Sequence, residues 1–499
     1  MKDGKRMVAA PPRWVLVLLA LALLASACGG NDDEGGDGAE APQPTASEPA
    51  DTGGEAESAP AETEPAKADS ETDEPAPAAT AESASTDAPA PEEAPEATPE
   101  PIVLTDSFRG VTSEAILIGH SSIDFEKLNA DFGLDLPYQN FGPPFLAMVD
   151  WYNEQGGVLG RRLEVVSELF LPVGATTAEA ACLKLTEDEQ VFAVINGFAG
   201  PGAEQVNTCV TELHDTILVG GLPTPEQAVA AGGLWVSPEM SLERRNTAMV
   251  SILEQTGRID ELSPVMIIGA HPEQQALVDG IAEDLRSAGA EVPVVGVVTT
   301  TGDQFATQAE MDVYIERARS DGVVSILLAG EDNYRNTHLW NTAPEFVYLI
   351  GNGDRLADWQ REPPDGLQDG TKVLTARGGP TPMEDPRILH CIDVIEGALG
   401  IEIFPPEELG DDDIQHWAGM LNACRDLAMF VQIAEAAGPD LTNDSWVAAL
   451  DNVPDISVPG VQFASLSANK VDAADELFLV EYDFNARAFI ELAGPLDVG

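Results

Sequence analysis

One tetrapeptide in the chain begins like the site of a nucleophilic hydrolase. Gly119-His120-Ser121-Ser122 has the glycine and serine spacing of the turn that exposes a catalytic serine, but Ile123 stands where that turn needs its last glycine. No serine in the chain is paired with a base at a recognisable spacing, although His271 and an acid could act with Ser121 in an enzyme. The sequence therefore predicts that the chain is not an enzyme and has no catalytic residues.

Metal and cofactor chemistry is also not indicated. The six histidines are scattered along the chain and show no metal-ligand spacing. We therefore expect no metal and no cofactor.

The elements that would position these residues alternate between strands and helices. Short apolar runs such as 115–119 and 265–268 are typical of buried strands, and helical stripes such as 145–152 lie between such runs. This repeating order predicts a parallel sheet with helices on both faces, and the pattern restarts near residue 265. The fold class expected is α/β with two similar lobes.

Ligands of open α/β sheets bind beyond the carboxyl ends of the strands, and this rule selects the candidate residues. In the first lobe these are the loops 120–121, 197–200 and 222–224, and in the second lobe they are 271–274, 330–332 and 352–354. The predicted ligand-binding residues are His120, Ser121, Phe198, Ala199, Gly200, Thr224, His271, Glu331 and Asp354.

The amino terminus has the pattern of an export signal. Four basic residues precede an apolar run, 14–24, which is about half the length of a membrane-spanning helix. Ala25, Ser26 and Ala27 then precede Cys28, and this arrangement resembles a bacterial lipobox, although Leu24 lies one position further from the cysteine than usual. The resemblance implies cleavage after residue 27 and lipidation of Cys28; an ordinary signal peptide is the alternative.

Residues 28–105 have the composition of a disordered tether. From 31 to 104 there are 21 acidic residues and a single basic one, Lys67, with almost no large apolar side chains. Such a segment cannot bury enough apolar surface to fold. We expect it to hold the rest of the chain away from a membrane.

The charge of the whole chain excludes some partners. It has 25 basic and 86 acidic residues, with a formal net charge of −61. Nucleic acid and anionic lipid surfaces would repel it, so we expect no nucleic-acid partner and contact with a membrane only through the lipid anchor.

Four cysteines remain after Cys28. They are Cys182, Cys209, Cys391 and Cys424, and an even number in an exported chain favours two disulfides. Three pairings are possible from the sequence, and four free thiols are the alternative.

Several stretches resemble one family. "ILIGHSS", "FLAMVDWYNEQGGVLGRRLEVV", "ACLKLTEDEQVFAVINGFAG" and "WAGMLNACRDLAMFVQIAEAAG" look like segments of branched-chain amino acid (leucine/isoleucine/valine-type) ABC-transporter substrate-binding proteins. The block from Asn153 to Arg161 is the most specific part of the likeness. The resemblance implies the type I periplasmic binding protein fold, with two Rossmann-like lobes joined by three hinge crossovers. Lobe 1 would comprise residues 112–236 and 372–455, and lobe 2 residues 237–371 and 456–492.

The resemblance also implies roles for some residues. The family often has a disulfide near Cys182 and Cys209, which leaves Cys391 for Cys424. Amino-acid-binding members hold the ligand carboxylate with a hydroxyl in the loop after the third strand, but residues 197–201 of this chain have no hydroxyl. Thr224 matches the neighbouring contact loop, and Glu331 or Asp354 could bind an ammonium group. An apolar or amide-bearing ligand would fit equally well.

The function implied is capture of a small molecule, an amino acid or a related amide or carboxylate. The chain would be exported, anchored by lipid to the outer face of the cytoplasmic membrane, monomeric, and would deliver its ligand to the permease subunits of an ABC transporter. A lipoprotein of the same fold that signals to a membrane receptor is the alternative.

Overall fold

The computed structural model describes residues 103–499 except 301–302, 331–336, 361–362, 379–384, 406–407 and 410–412, and it leaves out the side chains of residues 354–355 and 357–358. The export signal, Cys28 and nearly all of the predicted tether therefore lie outside the described residues. Among the helices of the described part, none is both long and apolar enough to cross a membrane.

The first lobe contains a sheet of five parallel strands. The strand order is β2-β1-β3-β4-β5. The strands are β1 (Ala115–Ile123), β2 (Arg162–Phe170), β3 (Ala193–Ile195), β4 (Ile217–Val219) and β5 (Trp235–Val236).

Helices cover both faces of this sheet, as the alternating order predicts. The helices between the strands are α1 (Phe125–Phe132), α2 (Gly142–Glu154), α3 (Thr176–Leu183) and α4 (Pro225–Ala231), and a π-helical turn (Lys184–Asp188) continues α3. Residues 202–213 have the spacing of one helix, but they form a 3₁₀ turn (Glu204–Val206) and a π turn (Cys209–Leu213).

The second lobe contains a mixed sheet of seven strands in the order β12-β11-β10-β9-β8-β6-β7. Five of the strands are parallel, and the last two form an antiparallel hairpin at one edge. The strands are β6 (Val265–Gly269), β7 (Val294–Val297), β8 (Ser325–Ala329), β9 (Val347–Ile350), β10 (Val373–Arg377), β11 (Glu476–Asp483) and β12 (Ala488–Asp497).

The second lobe's helices are followed along the chain by three helices that return to the first lobe. The second-lobe helices are α5 (Leu242–Gln255), α6 (Ile259–Leu262), α7 (Gln275–Ser287), α8 (Gln304–Ser320) and α9 (Thr337–Thr342), with a 3₁₀ segment (Gly353–Gln360). The returning helices are α10 (Pro386–Leu399), α11 (Trp417–Ala437) and α12 (Asn443–Leu450). Their buried apolar side chains join the core on one face of the first sheet.

The lobe boundaries in the structure differ from those expected. The resemblance implies lobe 1 for residues 373–377, but they form β10 and pair in parallel register with β9 of the second sheet. It implies lobe 2 for residues 456–473, but Ile456, Val458 and Val471 pack in the core of the first lobe. Strand pairing and side-chain packing over long distances set these boundaries, and the local pattern contains neither.

Two disulfides join the four cysteines of the body. Cys182 is bonded to Cys209, and Cys391 to Cys424. Both lie in the first lobe, where the second connects α10 to α11. The pairing is the one that the resemblance implies.

Candidate functional site

Polar side chains meet at the carboxyl edge of the first sheet. The Ser121 hydroxyl, at the end of β1, donates a hydrogen bond of 2.5 Å to the carbonyl of Gly197. Asn196 directly follows β3 with a positive φ of 81°, and its amide nitrogen donates to the carbonyl of Ser121 at 2.9 Å. Asn422 of α11 donates to the Asn196 side-chain oxygen at 3.1 Å. Residues from β1, the loop after β3 and a distant helix therefore form one polar network.

His120 and Phe198 lie inside the first lobe, close to the same edge. His120 is 2% exposed and its ring stacks on Phe145 with the centroids 4.1 Å apart. Burial lowers the pKa of His120 to about 3, so the imidazole is neutral. Phe198 is 1% exposed and packs edge-on against Phe170. Neither side chain is on the surface, and Phe198 in this arrangement belongs to the core.

The carboxyl edge of the second sheet has unpartnered amide groups. Asn352 follows β9 and is 3% exposed, and neither atom of its side-chain amide has a hydrogen-bond partner among the described residues. The side-chain oxygen of Asn246, on α5, is also buried without a partner there. Asn246 lies against Gly351, the residue before Asn352, since a Cβ on Gly351 would lie 2.6 Å from the Asn246 Cα and 2.9 Å from its side-chain oxygen. Buried amides without partners are costly in a folded chain, and a bound solute would satisfy them.

The crossovers between the lobes enclose a charged cavity of about 330 Å³. Glu239 and Arg245 lie on one side with 3.8 Å between their charged atoms, and Arg425 and Glu476 also line the cavity. Burial lowers the pKa of Arg425 and raises the pKa of Glu476. We call this space the hinge cavity.

A larger cavity of about 610 Å³ lies between α2, α10 and α11 in the first lobe. Its wall includes Trp151, Tyr152 and His390, and no lining side chain has a buried polar atom that lacks a partner. The unpartnered amides therefore favour the strand edges over this cavity as the ligand site.

Four of the remaining predicted site residues are exposed or half-buried in loops and turns. Ala199 is exposed and Gly200 half-buried in the loop after β3. Thr224 is exposed and caps α4, where its hydroxyl accepts from the Gln227 backbone at 3.3 Å. His271 is half-buried and begins a 3₁₀ turn after β6.

Glu331 lies outside the described residues, and so does the side chain of Asp354. The roles of all nine predicted ligand-binding residues stay predictions.

Sequence reasoning missed three asparagines. Asn196 lies one residue before the selected loop 197–200, and the strand-end rule applied one residue earlier would have found it. Asn246 and Asn422 are on helices, so no rule about strand ends could select them. Their approach to the edges depends on how α5 and α11 pack.

The geometry does not assemble hydrolase or metal chemistry at the suggested positions. The Ser121 hydroxyl donates to a backbone carbonyl rather than to an imidazole. Cys182, Cys209 and His214 form the one group of three metal-type ligands found in the described part of the chain, but both cysteines are in a disulfide and have no thiolate to offer.

Comparison with known proteins gives similarity at the level of the fold. No protein-family model matches the chain, and no curated protein matches its sequence. Among solved structures, an ABC-transporter protein from Rhodospirillum rubrum assigned to branched-chain amino acids is 14% identical with a TM-score of 0.50, and the match covers 76% of this chain and 100% of the other.

Two further solved structures are similar to the same extent. A type 1 periplasmic binding protein from Bordetella pertussis is 16% identical with a TM-score of 0.50, over 77% of this chain and 100% of the other. A solute-binding protein of an ABC transporter from R. palustris, in complex with 4-hydroxybenzoate, is 14% identical with a TM-score of 0.50, over 77% and 98%.

These similarities define the class of fold. The chain has the α/β architecture of type I periplasmic binding proteins, as expected, and its structural neighbours include proteins named as ABC-transporter substrate-binding or solute-binding proteins. All three solved proteins are named as binding or transport proteins.

Proposed function

We propose that this chain is an extracytoplasmic solute-binding protein. The observation that carries the proposal is the buried, unpartnered amide of Asn352 at the carboxyl edge of the second sheet, where ligands of α/β sheets bind. The polar network around Asn196 provides a matching edge on the first lobe. The solute would be an amino acid or a related amide or carboxylate, because amide and backbone groups dominate both edges.

The mode of action would be capture followed by delivery. A solute bound between two rigid lobes favours a closed form, because it contacts both lobes only when they approach each other. The closed form would dock on the permease subunits of an ABC transporter and release the solute. The solute-binding neighbours from ABC transporters support this proposal.

Anchoring by lipid would keep the protein near that permease. The signal at 1–27 would direct export, Cys28 would carry the lipid, and the acidic segment 28–105 would hold the folded part of the chain away from the membrane.

Metabolic labelling with an alkyne fatty acid should label the full chain in its bacterial host, and Cys28→Ser should abolish the label. Equal labelling of both proteins would contradict the anchor but not the binding function.

The binding function can be tested by thermal shift on the purified full chain. The screen would contain amino acids, amides, polyols and small carboxylates. A solute at 100-fold over its dissociation constant should add about 2.7 kcal/mol to the free energy of unfolding. No shift with any of these classes would count against the proposal.

A matched pair of variants makes the screen specific to the site. Asn352→Ala should weaken binding of the active solute at least tenfold without lowering the melting temperature, because the Asn352 amide has no partner to lose in the described structure. Asn452→Ala removes an exposed amide on the first lobe and should bind normally. Uptake of the same solute by cells with and without the gene would then separate transport from sensing. A role in transport predicts slower uptake in the cells that lack the gene.

A further inference from the structure

Helix α11 has one acidic residue among its buried positions. Asp426 is 3% exposed, and the other buried residues of the helix are apolar or small. An isolated carboxylate in such surroundings costs several kcal/mol unless it is paired or hydrogen-bonded. Asp426 therefore needs a partner or a function.

The Asp426 carboxyl reaches the carboxyl edge of the first sheet. A Cβ built on Gly220, which follows β4, would lie 2.9 Å from the Asp426 Oδ2 and 3.1 Å from the Asn196 Cα. Gly220 has a positive φ of 102°, and with no side chain it leaves room for the carboxyl. Asn422, one helical turn before Asp426, donates to Asn196 at the same place. The acid thus lies at the strand ends, beside the polar network of Asn196 and Asn422.

No described residue donates a hydrogen bond to this carboxyl. Two charged residues influence the pKa of this carboxyl. Glu239, from the crossover after β5, raises it, and Arg425, from the same helix, lowers it. The Arg425 Nε donates to the carbonyl of Pro459 at 3.0 Å. The pKa of Arg425 is in turn raised by Glu476 and lowered by Arg245. Burial, reinforced by Glu239, raises the pKa of Asp426 well above its usual range.

The hinge cavity is lined by the two residues whose charges influence the Asp426 carboxyl, Glu239 and Arg425. A solute at the edge of the first sheet, where Asp426 lies against Gly220, would meet a carboxyl to which no described residue donates. A protonated amine is the complement of such a group, since it brings three donors and a positive charge.

We infer that Asp426 contacts the solute and binds its protonated amine from the first lobe. This inference rests on the proposed solute-binding function and adds the chemical class of the ligand. The amine would bind the ionised carboxylate, so binding should release a proton in the range where the free protein holds Asp426 neutral. Affinity for an amine should accordingly rise with pH through that range.

The test uses the full chain and paired probes that differ only in the amine. The pairs are L-leucine against 4-methylpentanoate and 3-methylbutylamine against 3-methylbutanol, and each common amino acid is screened as well. We expect amine-bearing probes, and not their partners, to raise the melting temperature. Asp426→Asn should reduce that affinity at least tenfold and, without a probe, should melt no lower than the wild type, because it replaces a neutral buried carboxyl, to which no described residue donates, by an amide of the same shape.

The matched control is Glu435→Gln, which changes the other acid of α11 at an exposed position and should bind like the wild type. Calorimetry in two buffers of different ionisation enthalpy measures the released proton, which Asp426→Asn should abolish.

Three outcomes overturn the inference. Equal affinity and equal proton release in Asp426→Asn and the wild type would show that the acid does not contact the solute. A lower melting temperature with unchanged binding would assign it a structural role. A shift with polyols, amides or carboxylates but with no amine would reject the ligand class while leaving the solute-binding function intact, whereas no shift with any solute would reject that function too.

Discussion

At the scale of single residues, burial fixes the charge state of His120. Its ring is 2% exposed and stacked on Phe145, and Nδ1 has no partner among the described residues. A proton added to this ring would be placed in an apolar interior without a counter-ion. The pKa of about 3 expresses that cost.

This burial predicts a pH dependence of stability. Between the unfolded pKa of about 6.5 and the folded value of about 3, the unfolded chain binds a proton that the folded chain does not. The contribution of His120 is therefore fully present above about pH 6.5, and it falls by about 1.4 kcal/mol per pH unit below that. His120→Gln should lose this slope. Urea unfolding of both proteins between about pH 5 and 7 measures it, and parallel curves for the two would contradict the prediction.

At the scale of elements, the connection from α2 to β2 explains the most specific part of the family resemblance. The Asn153 side chain pairs with the Leu163 backbone in both directions, at 2.7 and 3.0 Å. Arg161 is fully buried and donates to the carbonyls of Thr112, Thr105 and Pro439. The motif therefore ties α2 and β2 to the segment before β1 and to the residues after α11, which is a structural role.

Removing the Arg161 guanidinium should lower the free energy of unfolding. Arg161→Met leaves three carbonyls without their donor, which at about 1 kcal/mol each lowers the free energy of unfolding by about 3 kcal/mol. Arg162→Met is the control, because Arg162 is exposed and next in sequence. Urea denaturation of both variants should show the loss only at position 161; equal stabilities would contradict this account.

At the scale of the whole molecule, charged side chains hold two of the crossovers between the lobes together. Ser237 pairs with the backbone of Val471 and Ala473 at 2.8 Å. Arg244 at the start of α5 contacts Asp472 at 3.0 Å and Asp475 at 2.6 Å, and Lys470 contacts Asp475 at 2.9 Å. Both acids are buried, so water screens these pairs weakly.

Loss of one of these acids should loosen the hinge. Asp475→Asn removes the charge that Arg244 and Lys470 share. It should cost about 2–3 kcal/mol of stability, less than the about 3–5 kcal/mol of a fully buried pair, because Arg244 keeps its contact with Asp472. Hydrogen exchange at the Ser237 and Ala473 amides should become faster. The control Asp260→Asn removes an exposed charge from the second lobe. Unchanged protection of the two amides would contradict the prediction.

Much of the architecture follows from the sequence alone. Apolar runs locate the strands: β6 begins at the predicted residue 265 and is one residue longer than its run, and β1 is only four residues longer than its run because it pairs with β2 as far as Phe170. Local periodicity is sufficient here, because a buried parallel strand needs apolar side chains on both faces. The same periodicity could not distinguish α from 3₁₀ and π bonding at 202–213.

Which side chains lie at the strand ends depends on the tertiary structure. The loops after the strands were predictable, since parallel strands bring their carboxyl ends to one edge. The packing of α11 brings Asn422 within hydrogen-bond distance of Asn196, 226 residues earlier in the chain, and places Asp426 beside Gly220. Which side chain of a distant helix reaches an edge depends on how that helix lies across the sheet, and no local spacing in the sequence records that angle.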